Sequence, residues 1–340
     1  MARKVKVCID RILPQDLARH QPVARMRSGG LNRFRAIIVF RKMWINGSTL
    51  RVRFMGGTAS QRALVREQAG WWTGHANLQF DFNNAPDAEI RIAFDPTDGA
   101  WSYIGTDARH ISQGQPTMNL GFLDGGTAAH EFGHAIGLAH EHQNPAGGIE
   151  WNEAIVLRDL SGPPNSWTPD QIRHNVIEKY SADQIRGTQF DPDSIMLYFF
   201  PASWTKSGKG TKANEILSDM DQAFIASEQA YPRTAVQATK LKINASPTMA
   251  SIGQPGEEDV FQFSAVSGGR HVVETSGKTD VLMKLFGPNS QTSLIAEDDD
   301  SGYGLNARIA AELSPGQYFV QVRHYNKAGG TGSYGVRVRK

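Results

Sequence analysis

The spacing of apolar residues changes along the chain, and it predicts the secondary structure. Between residues 49 and 122, short runs with an apolar residue at every second position surround one run with helical spacing. A period of two is typical of a strand with one buried face, whereas apolar residues three and four apart form one face of a helix. The pattern predicts a helix over residues 59–74 and four strands at Thr49–Phe54, Leu78–Phe82, Ala88–Phe94 and Pro116–Phe122.

Two further short helices are predicted downstream. Pro169–Tyr180 starts with a proline, which a first helical turn tolerates because its N–H groups have no partner inside the helix. Ser218–Tyr231 starts with a serine followed three residues later by Asp221, a pair that can cap the free N–H groups, and it stops before Pro232. We expect the first domain to end there and Ala235–Pro247 to form a linker.

From about Asp259 onward, the chain consists of short alternating strands separated by turns rich in glycine and aspartate. Such a series without helical periodicity predicts a β-sandwich. The predicted organisation is a segment 1–35, an α+β domain 36–232, a linker 233–250 and an all-β domain 251–340. The candidate strands of the last domain are Val260–Phe263, His271–Thr275, Val281–Leu285 and Gln317–Val322.

Length and composition fit this organisation. A chain of 340 residues with 40% hydrophobic residues suits two domains with cores of their own. The net charge of +2 argues against a dedicated nucleic-acid binder. No segment approaches the ~20 apolar residues that span a bilayer.

Basic residues concentrate in the first 35 residues, which contain nine lysines and arginines but only two acidic residues, Asp10 and Asp16. We therefore expect a loosely ordered, pro-like segment.

Most of the candidate metal-binding and catalytic residues lie in the run HEFGHAIGLAHE, which begins at His130. His130 and His134 are four residues apart, so on a helix they share one face. Glu131 can then reach a water on a metal held by the histidines without being a ligand itself. Gly137 can take a left-handed backbone that ends the helix and lets His140 return as a third nitrogen ligand. Three protein ligands leave an open position, as in a catalytic zinc site.

A bare H-E-x-x-H also occurs by chance, and helical histidines are often merely hydrogen-bonded. Here Gly137 and His140 extend the match to the longer metzincin motif. Downstream, Ser194–Tyr198 reads SIMLY and resembles the Met-turn that closes the metzincin site. A methionine alone is usually core filler, but its position after the histidine motif favours the functional interpretation.

With both elements in place, the chain resembles the astacin-like zinc endopeptidases, a branch of the metzincins, over residues 36–232. Glu141 directly after the third histidine and Tyr198 two places after Met196 indicate this branch. The resemblance implies that one catalytic zinc ion is bound by three ligands: His130, His134 and His140.

The resemblance also implies roles for the neighbouring residues. Glu131 would be the general base and acid, and Tyr198 a mobile fifth ligand that stabilises the oxyanion. Met196 would form the apolar floor under the metal, and Glu141 would make a buried contact with the mature amino terminus. The strand Pro116–Phe122 would be the edge strand on which extended substrate lies, the alternative being an ordinary sheet strand.

The chain departs from the family pattern in two ways. Its single cysteine can form no internal disulfide, unlike the cysteines of animal astacins, and Leu197 stands where the family often has histidine. Neither change touches the metal ligands. Both favour a microbial branch and make it unsafe to transfer detailed substrate preference.

The last domain resembles the bacterial pre-peptidase carboxy-terminal domains in its DVFQF start, its DDDSG turn and its LSPGQYFV end. Such domains are attached to secreted proteases, and the resemblance implies that this one binds calcium or an insoluble polymer or matrix, or is trimmed away. The acidic run Glu297–Asp300 offers hard oxygen ligands for Ca²⁺. It lacks the EF-hand spacing, and a solvated acidic turn is the alternative.

The sequence therefore predicts a zinc-dependent endopeptidase that hydrolyses proteins or peptides through a zinc-bound water activated by Glu131. The alternative is an inert or non-peptidase zinc protein that acts as a binding or effector module. Inert relatives typically lose the catalytic carboxylate or a ligand, and here Glu131, the three histidines and Tyr198 are all present. We expect a secreted, extracellular protein, although the chain shows no signal peptide.

Cys8 suggests a mechanism of latency. It lies in the basic segment ahead of the protease domain and is followed by Asp10. A thiolate is a strong zinc ligand and could plug the open metal position until cleavage near Arg35 and Ala36 removes the segment. The alternative is that Cys8 is an apolar residue of an alternating stretch that pairs with the body of the protein.

Overall fold

The computed structural model describes residues 9–11, 38–39, 42–163, 165–180, 185–186, 190–227, 229–232, 238–326 and 330–340. These residues form two compact units, one containing those up to 232 and the other those from 238 onward. Within these ranges, every helix is too short or too polar to cross a membrane.

The first unit is built on a mixed six-stranded sheet. Its strands follow the order β1-β6-β7-β5-β3-β4, and all neighbours run parallel except β6 and β7. A separate antiparallel pair is formed by β2 (Ile38–Val39) and β8 (Ile185–Arg186). The strands of the main sheet are β1 (Ile9–Asp10), β3 (Thr49–Phe54), β4 (Gln79–Asp81), β5 (Ile90–Ala93), β6 (Ala100–Ser102) and β7 (Met118–Leu120).

Five α-helices are described in this unit. The first, α1, begins after a capping box in which the Thr58 side chain and the Gln61 side chain each accept the other's backbone N–H. One π-turn, Arg173–Ile177, continues α4. The helices are α1 (Ala59–Thr73), α2 (Thr127–Ala135), α3 (Glu153–Ser161), α4 (Pro169–Ile172) and α5 (Asp219–Ile225).

Two large apolar clusters, and a small third one of Val39, Ile104 and Ala139, stabilise the described part of the first unit. The larger one lies between the sheet and α1 and α2, where Val52, Ile92, Trp72 and Phe132 are fully buried. The second large one contains Tyr198 together with Trp151, which precedes α3, Leu160 of α3, and Phe200 and Trp204, which follow the Met-turn. The candidate site residues therefore lie at the junction of two cores.

The local pattern predicted the regular elements well and the sheet edge badly. The helix predicted at 59–74 ends one residue earlier, and the strand Thr49–Phe54 is confirmed. The expectation that Pro116–Phe122 is an edge strand is wrong. The part of this range that forms a strand is β7, which pairs with β6 on one side and with β5 on the other. All three residues of β7 are buried, as an interior strand requires.

The two short helices end before their predicted limits. Of Pro169–Tyr180, helical structure covers Pro169 to Ile177. The helix predicted as Ser218–Tyr231 has the expected cap but ends at Ile225. The Tyr231 N–H donates to the Ile225 carbonyl (3.0 Å), so the chain folds back over the helix end instead of extending it.

The second unit is a β-sandwich of a four-stranded and a five-stranded sheet, ordered β10-β17-β12-β15 and β14-β13-β16-β11-β9. Its core includes Phe261, Val273, Met283, Val320 and Val336, one or more from each sheet. The α+β domain followed by an all-β sandwich is thus confirmed. The strands are β9 (Thr239–Lys240), β10 (Thr248–Ile252), β11 (Glu258–Ala265), β12 (Gly269–Gly277), β13 (Val281–Phe286), β14 (Leu294–Asp298), β15 (Arg308–Leu313), β16 (Gly316–His324) and β17 (Gly332–Arg339).

The linker expected at 233–250 requires a correction. Its described part carries β9, which pairs with β11, and most of β10, which pairs with β17. Residues from 239 on therefore belong to the sandwich. The pattern missed β9 because it has two residues, and it missed β10 because only Ile252 of that strand is fully buried.

Candidate metal centre

Helix α2 carries two of the three candidate ligands and is buried along its length from Ala128 to Ala135. Its N-cap residue makes no side-chain hydrogen bond. Gln68 of α1 takes that role, because its amide donates to Gly125 O (2.6 Å) and its carbonyl accepts from Ala129 N (3.2 Å). A neighbouring helix thus satisfies the helix start, as a buried terminus requires.

The end of α2 is held equally firmly. Gly137 has a φ of +106°, so the left-handed turn expected at this glycine is confirmed. The Trp44 indole donates to Ala135 O (2.7 Å), and the Tyr231 hydroxyl donates to Ile136 O (2.7 Å). With its carbonyls satisfied, the chain reverses and brings His140 back towards the helix.

The three histidines converge on one point. His134 Nε2 lies 3.1 Å from His130 Nε2 and 3.0 Å from His140 Nε2. Each imidazole offers one ligand atom, and these atoms lie within 4.8 Å of one another. Among the residues described, this is the one group of histidine, cysteine, aspartate and glutamate side chains that meets this geometry.

The hydrogen bonds on the far side of two rings show why this arrangement fits a cation. His130 Nδ1 lies 2.7 Å from Ile195 O, and His134 Nδ1 lies 2.9 Å from Leu138 O. A carbonyl only accepts, so each Nδ1 carries the proton and each Nε2 presents a lone pair. Two facing lone pairs repel unless a cation lies between them. Zinc–nitrogen bonds of 2.0–2.1 Å at a tetrahedral angle would separate the nitrogens by roughly 3.3 Å, so the donor set suits zinc.

Glu131 follows the first ligand on α2 and is fully buried. Both of its carboxylate oxygens are inaccessible to solvent. It lies on the same short helix as His130 and His134, so its position is fixed by the contacts that fix the ligands. A carboxylate held in this way could take up a proton without reorganisation of its surroundings.

Tyr198 is 5% exposed and packs among the histidines. Its ring centroid lies 4.1 Å from that of His140 and 6.0 Å from that of His130. The ring of His142 also stacks on Tyr198, with 4.6 Å between centroids, and His142 Nε2 lies 2.9 Å from Asn175 O. The phenol therefore lies beside the candidate ligands in a tightly restricted ring position.

Met196 packs against α2 at Gly133, which lies between the candidate ligands His130 and His134 in the sequence. A Cβ built at Gly133 would overlap the Met196 sulfur and lie 3.0 Å from the Trp72 ring. Glycine at 133 is therefore needed for the methionine to lie this close to the helix. Sequence reasoning missed this residue, although its signal is plain: it is the residue directly before His134 in the H-E-x-x-H motif.

The Met-turn, Ser194–Tyr198, is held by Asp221 of α5. Asp221 accepts hydrogen bonds from Ser194 Oγ (2.7 Å) and Ile195 N (2.8 Å). The Ile195 carbonyl in turn accepts from His130, so the turn connects α5 to a candidate ligand. Burial raises the pKa of Asp221 to about 6. Sequence reasoning assigned Asp221 only a capping role.

Glu141 is fully buried behind the same turn. Its backbone N–H donates to Met196 O (2.9 Å), and its carboxylate accepts from Asp191 N (2.9 Å) and Asn144 Nδ2 (3.0 Å). Burial raises the pKa of Glu141 well above its ordinary value. The chain terminus that it was expected to contact, near Ala36, lies outside the described residues.

The structure thus brings together eight of the nine sequence-predicted site residues, and Cys8 lies outside the described residues. The eight residues are His130, Glu131, His134, Gly137, His140, Glu141, Met196 and Tyr198.

In the second unit, some carboxylate oxygens of the acidic run Glu297–Asp300 already bind groups of the same unit. Asp298 accepts from Ser301 N (3.1 Å) and Arg308 N (2.7 Å), and Glu297 pairs with Lys284 (3.0 Å).

Comparison with known proteins identifies both units. Residues 38–215 match the family model of the astacin peptidases, and residues 257–324 match the bacterial pre-peptidase C-terminal domain. A solved structure of myroilysin is 35% identical, with a TM-score of 0.55, and the match covers 58% of this chain and 100% of that one.

Curated relatives are more distant. Zinc metalloproteinase nas-30 of Caenorhabditis elegans is 28% identical over 199 residues, covering 57% of this chain and 23% of that protein. Tolloid-like protein 1 of Mus musculus is 26% identical over 160 residues, covering 46% of this chain and 14% of that protein. The chain therefore spans less than a quarter of the length of these two relatives. Since the astacin model covers more than half of the chain, from Ile38 through the histidine motif and the Met-turn, the chain belongs to the astacin family of peptidases.

Proposed function

We propose that this chain is a zinc-dependent endopeptidase that cleaves peptide bonds in protein substrates. The observation that carries the proposal is the convergence of three imidazole nitrogens beside the buried carboxylate of Glu131. His130, His134 and His140 would hold the zinc ion. Membership of a peptidase family whose members use catalytic zinc supports the same assignment.

A bound zinc ion supplies Lewis-acid chemistry, which polarises the scissile carbonyl and makes a water molecule acidic. Glu131 would take the proton of the attacking water and deliver it to the leaving amine. Because its carboxylate is buried and carried by the ligand helix, it would meet the water in one fixed geometry. Tyr198 would donate a hydrogen bond to the oxygen that becomes negative during the attack.

The carbonyl groups behind the ligands give this site its stiffness. Ile195 O and Leu138 O fix the protonated nitrogens of His130 and His134, so both rings keep their Nε2 atoms directed inward. Met196 packs directly against Gly133 of the same helix, which supports its proposed role as the apolar floor of the site. These contacts support a site that is formed before substrate binds.

The second candidate function is an inert or non-peptidase zinc protein that serves as a binding module. A binding module would not need a buried general base or a tyrosine held against the ligands. Both are present here, with Glu131 fully buried and Tyr198 5% exposed. We therefore favour the enzyme.

The decisive experiment is Glu131→Gln, which keeps the shape of the side chain and removes the base. Casein hydrolysis should fall by roughly 10²- to 10⁴-fold, the usual contribution of a positioned acid–base residue. Zinc content, measured by mass spectrometry of the purified chain, should stay at one ion per chain. Glu67→Gln, which changes an exposed glutamate on α1, is the matched control and should keep full activity. Comparable activity in Glu131→Gln would refute the assignment.

We propose further that the second unit binds calcium or an insoluble polymer. Partial burial and the neighbouring carboxylates Asp300 and Asp298 raise the pKa of Asp299, an arrangement that a cation would relieve. Export of the protein from the cell would fit a pre-peptidase domain of this type.

The role of Cys8 as a ligand that plugs the open zinc position stays a prediction, to be tested by comparing the activity of full-length wild type with that of Cys8→Ser.

A further inference from the structure

Residues 9–11, the described part of the amino-terminal segment, lie along a strand that borders the candidate site. β1 pairs in parallel with β6, with Ile9 opposite Trp101 and Asp10 opposite Ser102. Apart from β1, β6 would be the outer strand of the sheet. Its residue Ala100 packs in the same apolar cluster as Tyr198. An extended chain on β6 therefore runs beside the metal centre.

The side chain of Arg11 is seated in a defined place next to this strand. Its Nη2 atom donates to both carboxylate oxygens of Asp98, at 2.8 and 2.6 Å. Its guanidinium carbon lies 4.1 Å from the ring centroid of Trp101. One cation thus meets a carboxylate and an aromatic face at the same time, which is the arrangement that suits a planar guanidinium.

The two residues that receive Arg11 hold each other in place. The Trp101 indole N–H donates to Asp98 Oδ2 (2.8 Å), so the carboxylate is fixed by a residue of β6. Trp101 is 3% exposed and packs edge-on against Tyr103, with 5.9 Å between ring centroids. The subsite is therefore built from the folded unit, and Arg11 adds to it from outside.

We propose that Asp98 and Trp101 form a subsite for an arginine side chain of a peptide lying along β6, and that Arg11 occupies it in the full-length chain. The substrate half of this inference rests on the proposed peptidase function. An extended peptide would gain main-chain hydrogen bonds from the strand edge, which carry no sequence preference, and selectivity from this subsite. Lysine would bind less well, because its compact, strongly hydrated ammonium group cannot lie flat on the ring as a guanidinium does.

In this arrangement Arg11 competes with the substrate for the subsite. The subsite holds one guanidinium, so a segment anchored by Arg11 and a peptide with arginine at the matching position exclude each other. Side-chain exposures of 39% for Arg11 and 45% for Asp98 keep the pair in exchange with solvent. Replacement by substrate therefore requires no opening of the core.

The first arm of the test measures the contact without catalysis. Amide hydrogen exchange of residues 9–11 is followed in the full-length chain. Asp98→Asn and Arg11→Ala should each speed exchange several-fold, and Arg11→Lys should have an intermediate effect. Asp81→Asn is the matched control, because Asp81 is an exposed carboxylate on β4 at the opposite edge of the same sheet. Unchanged exchange in Asp98→Asn overturns the subsite.

The second arm measures selectivity. A peptide library is digested with the Arg11→Ala chain, whose subsite is vacated, and the cut peptides are sequenced by mass spectrometry. Arginine should be enriched at one fixed position, citrulline should not replace it, and adding Asp98→Asn should remove the enrichment while cleavage continues. Enrichment that survives Asp98→Asn, or cleavage without basic enrichment, overturns the substrate half. Absence of all cleavage refutes the proposed function instead, and the exchange arm still decides the subsite.

Discussion

At the scale of single residues, the environment of Tyr198 explains how one phenol can be both restricted and useful. His140 and His142 pack on its ring, with centroids 4.1 and 4.6 Å away, so the ring itself is a packing element. The hydroxyl is the part that chemistry can use. Removing it should therefore separate a packing role from a catalytic one.

Tyr198→Phe keeps the ring and removes the hydroxyl. If the hydroxyl stabilises the developing oxyanion, kcat should fall by roughly 10²- to 10³-fold while KM changes little. The thermal midpoint should stay near that of wild type, because the ring contacts remain. Tyr303→Phe, at a residue that is 94% exposed in the second unit, is the control. A loss confined to KM would contradict the oxyanion role.

Gly133 shows what a motif leaves out. The H-E-x-x-H pattern accepts any residue at this position, yet here the Met196 sulfur fills the space where a Cβ would lie. The requirement comes from a residue 63 positions downstream and appears only once both segments are packed together. The histidine ligands themselves could be predicted, because four-residue helical spacing and a glycine turn are local properties.

At the scale of elements, the Met-turn depends on α5 as well as on its own sequence. Asp221 lies in the first turn of α5, where it completes the cap with Ser218, and the same carboxylate holds Ser194 and Ile195. Asp221 thus connects a helix start, the Met-turn and, through the Ile195 carbonyl, the candidate ligand His130. Asp221→Asn, which removes the charge and keeps the shape of the side chain, tests this connection.

Asp221→Asn should flatten part of the dependence of stability on pH. Burial raises the pKa of Asp221 from 3.8 to about 6, so the folded chain keeps a proton that the unfolded chain releases. Its contribution is fully present below pH 4 and is lost as the pH rises through 6. The free energy of unfolding of wild type should therefore drop by roughly 3 kcal/mol more than that of the variant between pH 4 and 7.

The measurement is urea unfolding at several pH values with excess zinc. Glu141 is retained in the variant, but the charge of Asp221 helps to raise its pKa, so the difference between the two curves reports Asp221 together with its coupling to Glu141. Asp219→Asn, an exposed aspartate on the same helix turn, is the control and should follow wild type. Parallel curves for wild type and Asp221→Asn would show that Asp221 does not titrate in this range.

The sheet edge was the main element that sequence reasoning placed wrongly. Pro116–Phe122 was assigned to the edge from its position before the ligand helix, and β6, with three residues, was not predicted at all. Alternation cannot be recognised in three residues, and all three are buried. Helix α1 and β3 were predictable because they are long enough to show their period.

At the scale of the whole molecule, the two units draw on separate cores. The cluster that packs behind the metal centre runs from Ile38 to Tyr231, and the cluster inside the sandwich runs from Leu241 to Val338. The family matches divide the chain in the same way, at 38–215 and 257–324. A change at the metal should therefore be felt in the first unit alone.

Removal of zinc should accordingly destabilise one unit and leave the other unchanged. A metal that binds only the folded state stabilises it by about 4 kcal/mol when its free concentration is 1,000 times Kd. In differential scanning calorimetry we expect two transitions, and 1,10-phenanthroline, which takes zinc in preference to calcium, should lower only the one assigned to the first unit. Glu131→Gln should show the same shift, because its ligands are intact, whereas His134→Ala should start low and not respond. A second transition that moves with the chelator would mean that zinc also stabilises the sandwich, and an unchanged pair of transitions would mean that the three histidines hold no metal.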